Sequence, residues 1–477
     1  MDIKIKENTA VEKAYKFSEL GFKICFLLFG LATFNSFTAH TKVISVLLFL
    51  TTAFAGITLI YRLVNYRRFI HNKMLWLCFA FMASYIVSFV LNLQYANING
   101  VKTLAFMGMQ FCLLLATDER KKFDDFKGEI KLILGIFSFY MLVAALTSII
   151  LMLCGYSNIV KRNGQTILSG FVWGRLWGVF TDPNFASVLS AMAIIISLYA
   201  ITVYKKKLWR AVNIINIILQ VLYISFSDSR TGIVVTFIAV SLYFYLRFNA
   251  CNIKKGRLLK SIICIFLSVF IGFMGTLTFR TINWVYNKAI YSIAGNESED
   301  KKEETIEKYT VGREQDIEQD ISNRRFDLWI SALETVKLKP IFGVSFESIV
   351  EFSEGNLPNT YLINNDHGKF SNYHNVLFNI LVGQGMVGIV LFFVMIVYAG
   401  LDLIRTVYNS YGKDNFLLCS MLFTLLVAML ASSMFVSEII YTISVNMMMF
   451  WYLLGIMLVK GREDISNDKN QRNNSGI

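Results

Sequence analysis

Tyr204-Lys205-Lys206-Lys207-Leu208-Trp209-Arg210 separates two apolar runs, 185–204 and 209–226, and Ser227-Asp228-Ser229-Arg230-Thr231-Gly232 leads from the second into a third, 229–247. Each run is about twenty residues, the length a helix needs to cross a ~30 Å hydrocarbon core. The same reading along the chain gives about twelve runs. They lie near 20–37, 43–62, 74–93, 99–117, 130–154, 185–204, 209–226, 229–247, 258–279, 376–399, 416–436 and 442–460. The two dividers differ in kind, and that difference repeats: every second connection is basic, and the others hold unusual polar motifs.

The basic set starts with Lys4, Lys6, Lys13 and Lys16, then Arg62, Arg67, Arg68 and Lys73, then Arg120, Lys121, Lys122 and Lys127. It continues through Lys205, Lys206, Lys207 and Arg210, then Arg247, Lys254, Lys255 and Arg257, and weakly Arg405 and Lys413, to Lys460 and Arg462. The intervening loops are short and nearly uncharged, apart from 155–184 and 280–375. Positive charge marks the cytoplasmic side. The expectation is an all-α polytopic protein with both termini cytoplasmic and 155–184, 227–229 and 280–375 outside. The chain then divides into 1–279 (spans one to nine), 280–375 (a large external loop with short helices), 376–460 (spans ten to twelve) and 461–477 (a cytoplasmic tail).

Composition agrees: 55% of residues are hydrophobic and 41 are Phe, too apolar for a soluble chain of this length. The net charge of +13 sits at span ends, where anionic lipid attracts it, so it argues for topology and against nucleic acid. Cys25, Cys78, Cys112, Cys154, Cys251, Cys264 and Cys419 are scattered without metal or disulfide spacing. The first apolar run follows nineteen residues with no small-residue cleavage site after it, so a cleavable signal peptide is not expected. No internal repeat is evident, which counts against two-halved transporter folds.

The external loop of about a hundred residues is too long to be a simple connection. Its charged middle, Glu297 to Asp320, reads as a surface excursion. Ser322 then opens a helix with Phe326, Trp329, Ile330, Leu333 and Val336 along one face, ending near Lys339-Pro340. A short amphipathic piece follows at Phe346 to Phe352.

Four motifs carry chemistry, each with a simpler structural reading beside it. Gly174-Arg175-Leu176-Trp177-Gly178-Val179-Phe180-Thr181-Asp182-Pro183-Asn184 places polar groups at a span entrance, either to line a cavity or as a turn with Asn184 capping the next helix. Ser229-Arg230 puts a guanidinium at a helix N-terminus, against the macrodipole and on the outer side. An anion there would account for it, as would pairing with Asp228 or snorkelling to headgroups. Tyr373-His374-Asn375 opens the tenth span with one of four histidines, either a proton acceptor or an interface residue. His40 and His71 read as ordinary interfacial residues and His367 lies in a polar loop. Gly383, Gly385 and Gly388 read as close helix packing. The Arg324-Arg325 pair is weak alone. There is no Asp-x-Asp, His-x-x-x-His, paired cysteine or Walker-type loop, so neither a metal nor another cofactor is expected.

In order, Gly174-Arg175 … Phe180-x-Asp182-Pro183-Asn184, Ser229-Arg230-Thr231-Gly232, Arg325-x-x-x-Trp329 with Pro340-x-x-Gly343, and His374-Asn375 … Gly385-x-x-Gly388 resemble the O-antigen ligase and polymerase superfamily. The likeness covers roughly 170–395. At Gly343-Val344-Ser345 the chain departs from the family, which often has a second glycine. The resemblance implies a bacterial plasma-membrane glycosyltransferase with its site on the external face, acting without metal on sugars carried by undecaprenyl diphosphate. It implies that Arg230 and Arg325 hold the diphosphate and His374 activates the acceptor hydroxyl. Arg175, Asp182, Asn184, Ser229, Arg324 and Asn375 would complete the pocket, with Asp182 or Asp366 as the next candidate base. The expected activity is polymerisation of lipid-linked repeat units into a capsular or O-antigen-type polysaccharide. Ligation of a finished glycan to another acceptor and, from another class, flipping of lipid-linked sugars stand as alternatives. Partners would be the lipid-linked oligosaccharide, the bilayer, and a chain-length regulator and flippase of the same pathway.

Overall fold

A computed structural model describes residues 9–162, 165–250, 257–296, 298–312, 324–365 and 368–475. Lys4, Lys6, Lys254, Lys255, Cys251, Ser322, Asp366 and His367 lie outside the described residues, as does much of the charged stretch before Asp320.

Among the described residues the chain is mainly helical, and each apolar run is largely a helix. The first five are α1 (Thr9–Thr33), α2 (Lys42–Val64), α3 (Lys73–Leu91), α4 (Ile98–Met109, continued by a π turn, Gln110–Leu115) and α5 (Phe123–Leu153). Then follow α6 (Pro183–Val203), α7 (Lys207–Ser227), α8 (Arg230–Ala250) and α9 (Arg257–Ala294). The segment between α9 and the next long helix adds α10 (Glu299–Tyr309), α11 (Arg325–Leu338) and α12 (Ile349–Asn356). The last three are α13 (Val376–Asn409), α14 (Phe416–Ser432) and α15 (Val445–Ser475). Among the described residues nine helices are long and apolar enough to cross a membrane, so the structure supports nine of the twelve expected spans by that measure. The other three runs are helical but fall short: α1 carries Lys16, Glu19 and Lys23, α14 has 17 residues, and α15 turns polar after Val459. At the centre lies α6, buried along nearly its whole length.

Three features depart from the sequence reading. The ninth helix does not stop at 279; it continues as one 38-residue rod, about 57 Å long. No glycine or proline interrupts Arg280–Ala294, so helical propensity carries it beyond the apolar stretch. Next, 155–184 is no irregular loop but a three-stranded antiparallel sheet in the order β1 (Ser157–Arg162), β2 (Gln165–Val172), β3 (Arg175–Gly178). Its signal was the Asn163-Gly164 pair between strands of six and eight residues. Last, α11 buries Leu328, Ser331, Ala332 and Thr335, while Phe326, Ile330 and Leu333 of the apolar stripe are exposed.

The glycines of α13 do permit a close approach, chiefly of the turn at residues 340–345. Gly385 (φ 64°, ψ −160°) breaks α13, and residues 340–345 pack into the break. Val344 N donates to Val382 O at 2.8 Å, Ser345 N to Gly383 O at 3.0 Å and Met386 N to Pro340 O at 2.8 Å. A Cβ on Gly343 would lie 2.2 Å from Val382 O, and one on Gly385 2.3 Å from Ile341 O, so both positions need glycine. Buried Ser88 and Asn92, four residues apart on α3 and its cap, close the joint: Ser88 Oγ donates to Gly383 O at 2.7 Å and Asn92 Nδ2 to Gly343 O at 3.0 Å. Ser345 takes φ 68°, the left-handed region that favours glycine.

The basic connections gather at one end of the bundle. Arg462 contacts His71 and donates to Lys121 O at 3.4 Å, and Glu119 N donates to Arg68 O at 2.9 Å. Many of these cations meet protein carboxylates as well as any headgroups: Arg62 and Lys121 pair with Glu19, each at 2.8 Å, and Arg120 with Glu12 at 2.9 Å. At the other end, Thr181 N donates to Phe34 O, Asn97 Nδ2 to Glu347 O and Val376 N to Ser433 O.

Candidate active site

Asp182, Pro183 and Asn184 open α6 at that second end. Asp182 is the N-cap, accepting from Asn184 N at 2.7 Å, with Pro183 pre-set in the first turn. The cap is therefore Asp182, correcting the expectation for Asn184. The Asn184 side chain is used across elements: its Oδ1 accepts from Arg175 Nη2 at 2.9 Å and from Ser229 Oγ at 3.1 Å. Arg175, on β3 and buried, also donates from Nε to Ser227 O at 2.8 Å. Ser229 Oγ accepts from Gly232 N at 3.1 Å and so caps α8, whose first residue is Arg230.

His374 arrives from a different part of the chain and is held from both sides. Its N–H donates to Asn372 Oδ1 at 2.9 Å, and the preceding Tyr373 N donates to Asn379 Oδ1 at 2.9 Å. Asn375, not His374, caps α13, accepting from Leu377 N at 2.8 Å. His374 has φ 50°, a left-handed backbone uncommon outside glycine. Trp329 ties α11 to this turn by donating to Tyr373 O at 3.2 Å and stacking on Phe378 at 5.4 Å between ring centroids. Arg325, in the first turn of α11, is thereby brought to the same place.

Between these elements lies a cavity of about 290 Å³, lined by Asp182, Asn184, Arg324, Arg325 and His374. Tyr361, Phe370 and Phe435 supply aromatic faces. The Arg325 guanidinium lies 5.8 Å from the Phe435 ring, and Arg324 lies 6.0 Å from that of Tyr361 while pairing with Asp327 at 3.3 Å. Burial lowers the pKa of His374, the nearby Arg325 lowers it further, and Asp182 opposes them. The imidazole is thus held towards its neutral, proton-accepting form.

Five of the nine sequence candidates line this cavity. Ser229 and Arg175 stand one hydrogen bond behind it through Asn184, Arg230 follows Ser229 in the chain, and Asn375 follows His374. Sequence reasoning missed the aromatic lining and Glu438, in the connection after Phe435 and Val436. Burial, with Asp182 adding to it, pushes the Glu438 carboxyl well above its usual range, against a hydrogen bond from Asn446 Nδ2 at 3.3 Å. An acidic residue between two apolar runs was its available signal. Among the described residues no group of three or more His, Cys, Asp or Glu side chains is placed to hold a metal ion.

No curated protein matches the chain. Residues 215–393, from within α7 to within α13, match a family model described as O-Antigen ligase. That segment contains Arg230, Arg324, Arg325 and His374, while Asp182 and Asn184 precede it. By this match, residues 215–393 are similar to a domain of the O-antigen ligase/polymerase superfamily.

Proposed function

We propose that the protein is a membrane glycosyltransferase that polymerises oligosaccharide repeat units carried on undecaprenyl diphosphate. The observation that supports it most is the convergence of Arg324, Arg325, Asp182, Asn184 and His374 on one cavity from three separate parts of the chain. The acceptor sugar hydroxyl attacks the anomeric carbon of the donor, and its proton passes to His374. The bond from that carbon to the diphosphate oxygen breaks, lipid diphosphate leaves, and the new glycosidic bond has inverted configuration. Negative charge grows on the leaving group, where Arg325, with Arg324 beside it, stabilises it; fixed charges do this best where water is partly excluded. General-base help of this kind is typically worth ~10²–10⁴ in rate. Because guanidinium groups carry the charge stabilisation, EDTA leaves the rate unchanged.

The Lys/Arg alternation puts this end of the bundle outside the bacterial plasma membrane, with both termini in the cytoplasm. A flippase would supply the donor there, and a chain-length regulator would act on the product. Labelling of a cysteine at position 310 only from the cytoplasmic side would reject that orientation.

The family's description as O-Antigen ligase favours a second reading, transfer of a finished glycan to a different acceptor. Both share the donor half of the reaction. Extension of a defined lipid-linked repeat by purified protein separates them: a ladder of longer lipid-linked products supports the polymerase. Transfer only to an unrelated acceptor supports the ligase, and neither product removes both.

A further inference from the structure

A second cavity, of about 430 Å³, opens between α5, α6, α7 and the start of α14. It lies towards the far end of α6 from Asn184, about 18 Å along the helix at Ile196 and about 30 Å at Tyr204. Its wall is apolar, formed by Leu134, Phe139, Leu142 and Ile196, with Phe139 exposed at its side. Ser138 and Asn216 lie deeper, hydrogen-bonded to each other at 3.1 Å. Tyr204 and Trp209 stand at the rim, and Lys127 and Lys131 project one turn apart from α5. Lys131 lies 5.7 Å from the Tyr204 ring, and Lys127 pairs with Asp124 at 2.8 Å. Asp414 also lines the cavity, but Lys205, Lys206, Lys207 and Arg210 adjoin the rim, so the mouth is cationic overall.

An apolar cleft flanked by membrane-length helices, with aromatic residues and lysines at one end only, matches the profile of a lipid: hydrocarbon below, interface at the rings, anion above. Basic pockets between membrane helices take acidic headgroups. We propose that this cavity binds one acidic glycerophospholipid, its phosphate at Lys127 and Lys131 and an acyl chain along Leu134, Phe139 and Leu142. A zwitterionic headgroup brings an ammonium against the same lysines and is disfavoured. The inference is independent of the proposed activity, since the two cavities share no residue.

Native mass spectrometry of the full chain, titrated with phosphatidylglycerol, phosphatidylcholine or a polyprenyl phosphate, tests it. At about fivefold per lysine, phosphatidylglycerol should bind roughly 25-fold more tightly than phosphatidylcholine, and Lys127→Gln/Lys131→Gln should bring the two together. Gly135 lines the cavity, and a Cβ there meets nothing within 4 Å, so Gly135→Leu starts its side chain in open space and narrows the cavity without loss of charge. That variant should lose phosphatidylglycerol binding while keeping its unfolding temperature. Equal binding of the two phospholipids, an unchanged preference in the lysine variant, or wild-type binding by Gly135→Leu would overturn the proposal. Tighter binding of polyprenyl phosphate at this site would replace the occupant and overturn it too.

Discussion

Arg175 and Asn184 are joined by a hydrogen bond of 2.9 Å that connects the sheet to the first turn of α6. Of the two, Asn184 lines the cavity and Arg175 stands behind it, the place of a positioning residue. Arg175→Ala leaves the Ser227 carbonyl and Asn184 Oδ1 each short of a donor and should cost about 1–3 kcal/mol in stability. Asn184→Asp separates position from charge: it keeps both acceptor interactions, so the unfolding temperature in detergent should hold. It also places a negative charge where an anionic donor would sit, and transfer should fall about tenfold or more. Unchanged transfer by Asn184→Asp would remove the anion from this side of the cavity.

The joint between residues 340–345 and the break in α13 should be equally sensitive. Gly343→Ala or Gly385→Ala forces backbone atoms apart, and each should lower the unfolding temperature and reduce transfer, although neither residue touches the cavity. Ser345→Gly has the opposite sign. It relieves a left-handed backbone that costs on the order of 1–3 kcal/mol in a non-glycine residue, so the variant should unfold at a higher temperature. A lower value would mean that the Ser345 side chain contributes more than its backbone strain costs.

This joint also marks the limit of what the sequence disclosed. Helices were legible because apolar length is a strong signal, and the alternating charge sorted the connections into the two ends that the fold shows. Asp182, Asn184, Arg324, Arg325 and His374 were legible because charge and proline stand out beside apolar runs. The partnership of Ser88 and Asn92 with Gly383 and Gly343 was not, since two small polar residues in an apolar span have no fixed meaning until the distant glycines arrive. Glu438 was passed over for a related reason: its chemistry depends on burial, and then on Asp182, which lies far away in the chain.

Glu438 gives a pH-dependent prediction. Its folded pKa is raised, so the folded state keeps a proton that the unfolded chain releases near the ordinary value of about 4.3. Its contribution to stability is fully present below that value and is lost as pH rises through the folded pKa. Asn446 Oδ1, buried and without a hydrogen-bond partner among the described residues, stands on the same amide that bonds Glu438. Glu438→Gln keeps the shape without the charge. Unfolding temperature followed from pH 5 to 9 should therefore decline less steeply in the variant and be higher than wild type at the alkaline end. The same slope in both proteins would show that Glu438 is already charged and solvated.

His374 and Arg325 provide the sharpest test of the proposed chemistry. Burial and the Arg325 charge both lower the His374 pKa, so the neutral imidazole persists below the ordinary value of about 6.5. If that neutral form takes the acceptor proton, transfer falls as pH drops, but the acid limb lies below 6.5. Arg325→Gln removes one of the two lowering influences, and the histidine pKa must then rise. With four histidines in the chain, ¹⁵N-imidazole NMR with single histidine replacements can assign the signal of His374. The expected result is a titration midpoint below 6.5 in the wild type, a higher midpoint in Arg325→Gln, and residual transfer whose acid limb moves upward with it. His374→Ala should abolish transfer while leaving donor binding nearly intact, because the guanidinium groups hold the diphosphate. A midpoint that moves while the limb of the residual activity stays in place would detach the proton transfer from His374 and leave it only a charge neighbour of Arg325.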